Sequence, residues 1–341
     1  MSVGLRRAVL YSLLPLVIAA CSPAINQIDV SGETMGTTYT LKAIGEGINK
    51  TDIKQQVEAL FERINAQMST WRPDSEISRF NRVRTGGWFE ISDEFMLVLD
   101  TAHRINQQTG GAFDVTVGGL VKLWGFGPSI RRNKAPESKA ITEQLGHTGP
   151  ATFAIDLSRN MIRKVDPEMQ LDLSGIAKGY AVDAVAEILA QSGSDDFLVE
   201  IGGEVRASGR RLDGAPWRVA IEKPDTQGRS IQAAVSLDNA AIATSGNYRD
   251  YFQIGNKRYS HIIDPKTGSP SNNGVASVSV ITDDVMTADA LATGLMVMGT
   301  EKALTLAAKN NLAVMIIERD GNEFRVFSLG GFDTLQSTRS N

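Results

Sequence analysis

Apolar residues return at helical spacing across residues 51–70, where Ile53, Val57, Leu60, Phe61, Ile64 and Met68 share one face and charged side chains fill the other. Thr51 stands where such a helix would be capped. The same period predicts a second helix over 92–108, closed by Gly110, and a third over 174–191, with Ser174 as N-cap and Val182, Val185 and Leu189 as its apolar stripe. Beyond it the pattern changes to short β-rich runs at 197–201, 217–222, 231–237, 276–281, 312–318 and 324–329, interrupted by helical stretches near 287–298 and 300–310. Strands that follow one another without intervening helices predict an α+β fold, one large unit with a largely antiparallel sheet.

The N-terminus breaks this pattern. Arg6 and Arg7 precede an apolar run from Ala8 to Ala20, interrupted only by Ser12 and Pro15, which has the layout of an export signal and is short for a membrane span. Ile18-Ala19-Ala20-Cys21 resembles a lipobox, whose cysteine is diacylated and becomes the new N-terminus after cleavage. A plain signal peptide with a coincidental cysteine is the alternative, but the chain has one cysteine and it falls here. The expected division is a lipoprotein signal peptide over 1–20, a tether over 21–31, a folded domain over 32–330 and a tail over 331–341.

Charge and ligand counts remove several classes. A formal net charge of −4 is a poor basis for nucleic-acid binding, and one cysteine with three histidines leaves little from which to build structural zinc or internal disulfides. No phosphate loop is present, and Gly125-Phe126-Gly127 lacks the third glycine of a dinucleotide fingerprint.

Four segments remain as candidate chemistry. Thr109 to Asp114, continuing through Gly118-Gly119 to Pro128, is dense in glycine and aromatics; a ligand cradle and a tight turn packed on core aromatics are equally compatible with that composition. Asp172 to Gly179 enters the third helix with Lys178 nearby, as an anion site or as an ordinary capped helix. Asp289 and Thr293 stand one helical turn apart, two hard oxygens suited to Mg²⁺ or a solvated polar face. His261, flanked by Ser260 and Asp264, has the chemistry of a general base. His103 falls in register with Met96 and Leu99 and reads as structural, whereas His147 lies in a polar loop.

In chain order, Met35-Gly-Thr-Thr, Met68 to Trp71 with Ser75 to Asn81, Thr109 to Asp114, Leu120 to Pro128, Asp172 to Asp183, Ile201 to Glu204, Ala243 to Arg249, Ser260 to Gly268 and Ala288 to Gly294 closely resemble the FAD:protein FMN transferases, the ApbE lipoproteins. The resemblance implies a T-fold-like unit that moves the FMN half of FAD onto a Thr or Ser hydroxyl of an acceptor protein, releasing AMP with Mg²⁺ as cofactor. It places Met35, Trp71, Ala112, Phe113, Asp114, Asp172, Lys178 and Ile263 against FAD. The Gly175 carbonyl, Asp289 and Thr293 would hold the metal, with His261 and Asp289 as catalytic groups. Some members carry an acidic residue where Lys178 stands, and some a second aspartate where Ala292 stands. Implied partners are acceptor subunits of membrane redox complexes of the Nqr and Rnf kind, and a membrane reached through the acylated Cys21. The location implied is the periplasmic side of the cell envelope, on the inner membrane. Two rival readings use the same residues: an Mg²⁺-dependent FAD pyrophosphatase, with water as acceptor, and a non-catalytic periplasmic FAD-binding lipoprotein.

Overall fold

A computed structural model describes residues 25–128, 134–225, 230–248, 251–255, 257–321 and 323–332. The expected signal peptide and Cys21 lie outside them.

The fold is α+β and its main sheet is antiparallel throughout. Eight strands lie side by side in the order in which the chain makes them: Ile25–Thr34, Thr37–Glu46, Asp196–Ile201, Glu204–Ser208, Ala240–Gly246, Val275–Thr282, Ala313–Asp320 and Glu323–Leu329. Between neighbouring strands the chain makes excursions. Residues 47–195 supply helices α1 (Lys50–Met68), α2 (Glu76–Arg82), α3 (Asp93–Gln108), α4 (Gly118–Trp124), α5 (Ser138–Leu145) and α6 (Ala177–Gln191). A hairpin of Trp217–Glu222 and Ile231–Leu237 follows the fourth strand, a smaller one of Tyr251–Ile254 and Lys257–Ser260 follows the fifth, and α7 (Val285–Met298) and α8 (Thr300–Lys309) follow the sixth.

Period-two alternation divides the strands between two cores. Ala241, Ala243, Val278, Val280, Val314 and Ile316 face the helices in the larger core. Ile242, Ile281, Met315 and Ile317 face the other way, where Trp217, Ile221, Val235 and Leu237 of the hairpin cover them. Val275–Thr282 is buried on both faces up to its last residue, with Ser277 and Ser279 buried among its apolar side chains.

The structure corrects several boundaries. Asn49, not Thr51, caps α1, accepting from the Thr51 amide at 2.8 Å. Helix α6 starts at Ala177 and not at Ser174, because the Asp172 carboxylate takes up the Ser174 amide at 2.8 Å and holds that stretch as a turn. The supposed tether is strand from Ile25 onward, with Ile28 and Val30 buried, and Phe332 is fully buried in the second core. The described fold therefore runs beyond both limits of 32–330. His103 is exposed and meets Gln107 at 2.8 Å, one step off the apolar stripe that Met96 and Leu99 belong to. His147 pairs with Asp166 at 2.7 Å.

Candidate active site

The helical excursion and the sheet enclose a cleft with two lobes, a larger cavity of about 780 Å³ and a smaller one of about 500 Å³, both lined by Asp172, Ser174 and Lys178. Met35 and Trp71 line the smaller lobe. Ala112, Phe113, Asp114, Gly175, His261, Ile263, Asp289 and Thr293 line the larger. Every site residue expected from the sequence, apart from Cys21, thus borders the cleft.

Packing distinguishes their roles. Trp71 is 67% exposed at the rim, whereas Phe113 is 4% exposed and belongs to the main core. Phe113 is held from both sides of its backbone: its amide donates to Thr109 Oγ1 at 3.1 Å and its carbonyl accepts from Asn106 Nδ2 at 2.7 Å. A Cβ on Gly294 would come within 3.1 Å of the Phe113 Cβ, and one on Gly175 within 3.3 Å of its ring. The Thr109–Asp114 segment is therefore both things its composition allowed, a turn packed on the core and a wall of the cleft. The two aromatic rings lie in different lobes, so they do not form one stacking platform. Asp114 turns its carboxylate back to Thr116, accepting from that amide at 2.8 Å and hydroxyl at 2.6 Å; burial pushes its pKa upward.

Asp289 is 3% exposed, which excludes the solvated-face reading of this helix. Helices α6 and α7 touch backbone to backbone at Gly179, where a Cβ would lie 2.5 Å from the Val285 carbonyl oxygen; this contact lets the Gly179 amide donate to Asp289 Oδ2 at 3.0 Å. One turn along α6, Asp183 accepts from the Val285 and Met286 amides at 3.1 and 2.9 Å and from Arg206 at 2.6 Å, fixing the start of α7. Lys178 Nζ lies 2.9 Å from Glu204 Oε1 and 3.8 Å from Asp289 Oδ2. Burial raises both carboxylates, Glu204 to about 7. Burial alone would lower the Lys178 ammonium, but Asp289 and Glu204 together hold it above its ordinary value.

Thr293 meets Ser245 hydroxyl to hydroxyl at 3.0 Å, and a Cβ on Gly175 would stand 3.2 Å from Thr293 Oγ1. Among the described residues no group of three or more His, Cys, Asp or Glu side chains could hold a metal. The expected set needs only one carboxylate, with a hydroxyl and a carbonyl beside it. This hard-oxygen set fits a Mg²⁺ that keeps several waters.

His261 sits between Lys257–Ser260 and Ile263–Asp264, with the edge of Phe126 at 6.4 Å between ring centres. The Asp264 carboxylate accepts from the Lys266 amide at 2.9 Å and the Thr267 hydroxyl at 3.1 Å in the following turn. Glu204 is the residue that sequence reading passed over. It lay within a recognised string, but its inward position becomes visible only once its strand is paired on both sides.

Fold and site together define a class: an α+β protein with a meandering antiparallel sheet whose inserted segments build a cleft, aromatic at one rim and charged within. The ApbE family model matches residues 35–316, and the chain belongs to the ApbE family. It is 45% identical over 333 residues to a protein of Haemophilus influenzae named FAD:protein FMN transferase, covering 96% of each chain. A Vibrio cholerae protein of the same name is 45% identical over 320 residues, covering 93% of this chain and 95% of the relative. Among solved structures, the flavin transferase ApbE from Vibrio cholerae superposes with a TM-score of 0.85 at 44% identity, covering 92% of this chain and 100% of that one. The apo flavinyl transferase ApbE of Pseudomonas stutzeri gives 0.84 at 38% identity, covering 91% and 97%.

Proposed function

We propose that this protein transfers the FMN moiety of FAD to a Ser or Thr hydroxyl of an acceptor protein and releases AMP, with Mg²⁺ held by Asp289, Thr293 and the Gly175 carbonyl. The observation that carries the reading is the buried Asp289, tied to Gly179 and one turn from Thr293, in the same cavity wall as Lys178 and His261. When bound, the ion would supply positive charge to the pyrophosphate oxygens as the bond between its two phosphates breaks.

The chain's own groups account for the remainder. Trp71 offers an aromatic face to one end of FAD, and Lys178, lining both lobes, offers an ammonium to the phosphates between. The acceptor hydroxyl forms a bond to the FMN phosphorus while the bond to the AMP oxygen breaks. Its proton passes to His261, because an alcohol is too weak an acid to lose it unaided near neutral pH.

The acceptor is proposed to be a subunit of a membrane redox complex of the Nqr or Rnf kind, reached from the periplasmic side of the inner membrane by a protein anchored through acylated Cys21. Among the described residues no helix is long and apolar enough to cross a membrane. Purified protein incubated with FAD, Mg²⁺ and an acceptor subunit should give flavin fluorescence on the acceptor in a denaturing gel, together with AMP. Free FMN with AMP and no labelled acceptor would favour hydrolysis, and absence of AMP would leave a flavin-binding protein.

A further inference from the structure

Lys178 stands between two buried carboxylates on different elements, and its two contacts are unequal. Glu204 Oε1 takes the ammonium at 2.9 Å, a direct hydrogen bond, while Asp289 Oδ2 stays at 3.8 Å and receives the Gly179 amide instead. Glu204 is 3% exposed, and its second oxygen, Oε2, has no hydrogen-bond partner among the described residues. That oxygen lies behind the Gly202-Gly203 turn, where a Cβ on Gly202 would approach it to 3.5 Å. Glu204 thus keeps spare accepting capacity while it holds the Lys178 ammonium.

A divalent cation at Asp289 is repelled by an ammonium held at the same carboxylate, and in a buried site that repulsion is weakly screened. We propose that Glu204 is a positioning residue for the metal: it draws the Lys178 ammonium off Asp289 and so leaves that carboxylate available to a divalent cation. This inference rests on the reading that Asp289 holds the metal. Removing the charge of Glu204 leaves Lys178 with Asp289 as its remaining carboxylate, and the ammonium then competes with the ion.

Mn²⁺ serves as the probe, its free concentration read by electron paramagnetic resonance in titrations of the full chain without FAD. E204Q should weaken Mn²⁺ binding at least tenfold. Because Glu204 acts through Lys178, the loss should be at least tenfold larger with Lys178 present than in a K178M background. Equal losses in the two backgrounds would mean that Glu204 acts on the ion by its own charge, and would overturn the proposal; so would an E204Q protein with unchanged affinity. K178Q is run in parallel as a polar replacement, and thermal melting shows which variants are folded. D289N tests the underlying reading separately. If D289N binds Mn²⁺ like the parent protein, the metal assignment falls and this inference with it. If D289N loses the ion while the two E204Q losses are equal, the role of Glu204 alone falls.

Discussion

The Gly179 amide and the Asp289 carboxylate meet at 3.0 Å because nothing separates the backbones of α6 and α7 at that point. A methyl group at position 179 would collide with the Val285 carbonyl, which cannot swing aside as a side-chain end can. Gly179→Ala should therefore destabilise the protein by about 1–3 kcal/mol, the usual scale of overpacking, and weaken metal binding by moving Asp289. Urea midpoints and an Mn²⁺ titration check both effects; an unchanged midpoint would mean the helices part without cost.

Trp71 and Phe113 should respond in opposite ways to truncation. Trp71→Ala removes an exposed ring, so stability should hold while FAD binding weakens by about 1–3 kcal/mol, the scale of one stacked contact. Phe113→Ala empties a core position and should cost about 3–5 kcal/mol of stability. Equilibrium FAD binding beside thermal melts separates the two.

For the chemistry, Asp289→Asn keeps an acceptor for the Gly179 amide and removes the charge. Flavin transfer should fall roughly 10²-fold or more, the scale of losing one electrostatic stabiliser, with much of the FAD affinity retained. His261→Ala should slow transfer while preserving metal and FAD binding, and should affect hydrolysis of FAD by water less. Single-turnover assays with and without acceptor distinguish these signatures.

Lys164 gives a pH signature remote from this chemistry. It is buried, its ammonium donating to the Asn81 carbonyl at 2.9 Å, and burial pushes its pKa down to about 8. The folded protein releases this proton at a lower pH than the unfolded chain does. Between about pH 8 and pH 10 the unfolded chain binds more protons, so this group makes stability rise with pH across that window. Lys164→Met should flatten that rise in urea midpoints measured along the series.

Cys21→Ala should release the protein from membranes after a high-salt wash, since two acyl chains and no spanning helix are proposed to hold it. Fractionation of cells expressing the variant tests this, and continued sedimentation with membranes would remove the lipid-anchor proposal.

The long helices and the strands rich in apolar and β-branched residues were legible because such patterns need only a few turns or residue pairs to declare themselves. The strands at 217–222 and 231–237 follow from the pattern at their observed bounds, α3 to within a residue and α1 to within two. Ala240–Gly246 was not legible: its small residues carry little strand propensity, and it is strand because neighbours pair with it on both sides. Short helices such as α2 and α4 offer too few turns to show a stripe. That these residues come from strings shared with one family was legible, and they border one cleft, but their local contacts were not legible. The Asp172 and Asp114 carboxylates are taken up by amides or hydroxyls only two residues on, side-chain-to-backbone turns that periodicity does not register, whereas the Glu204–Lys178–Asp289 arrangement depends on contacts between segments far apart in the chain.

Because the eight strands lie in space in the order of synthesis, each excursion leaves the sheet and returns beside its own departure point. Changing an excursion's length leaves strand order and register untouched, and the entropic cost of closing a longer loop grows only logarithmically, about 0.6 kcal/mol for each doubling. The sheet is thus a frame on which the cleft can be retailored piece by piece. The hairpin at Trp217–Leu237, which contributes Val219 to Glu222 to the larger cavity, is one such piece: its outer turn can be lengthened or exchanged to suit a different acceptor surface while Asp289, Gly179 and Lys178 stay where they are.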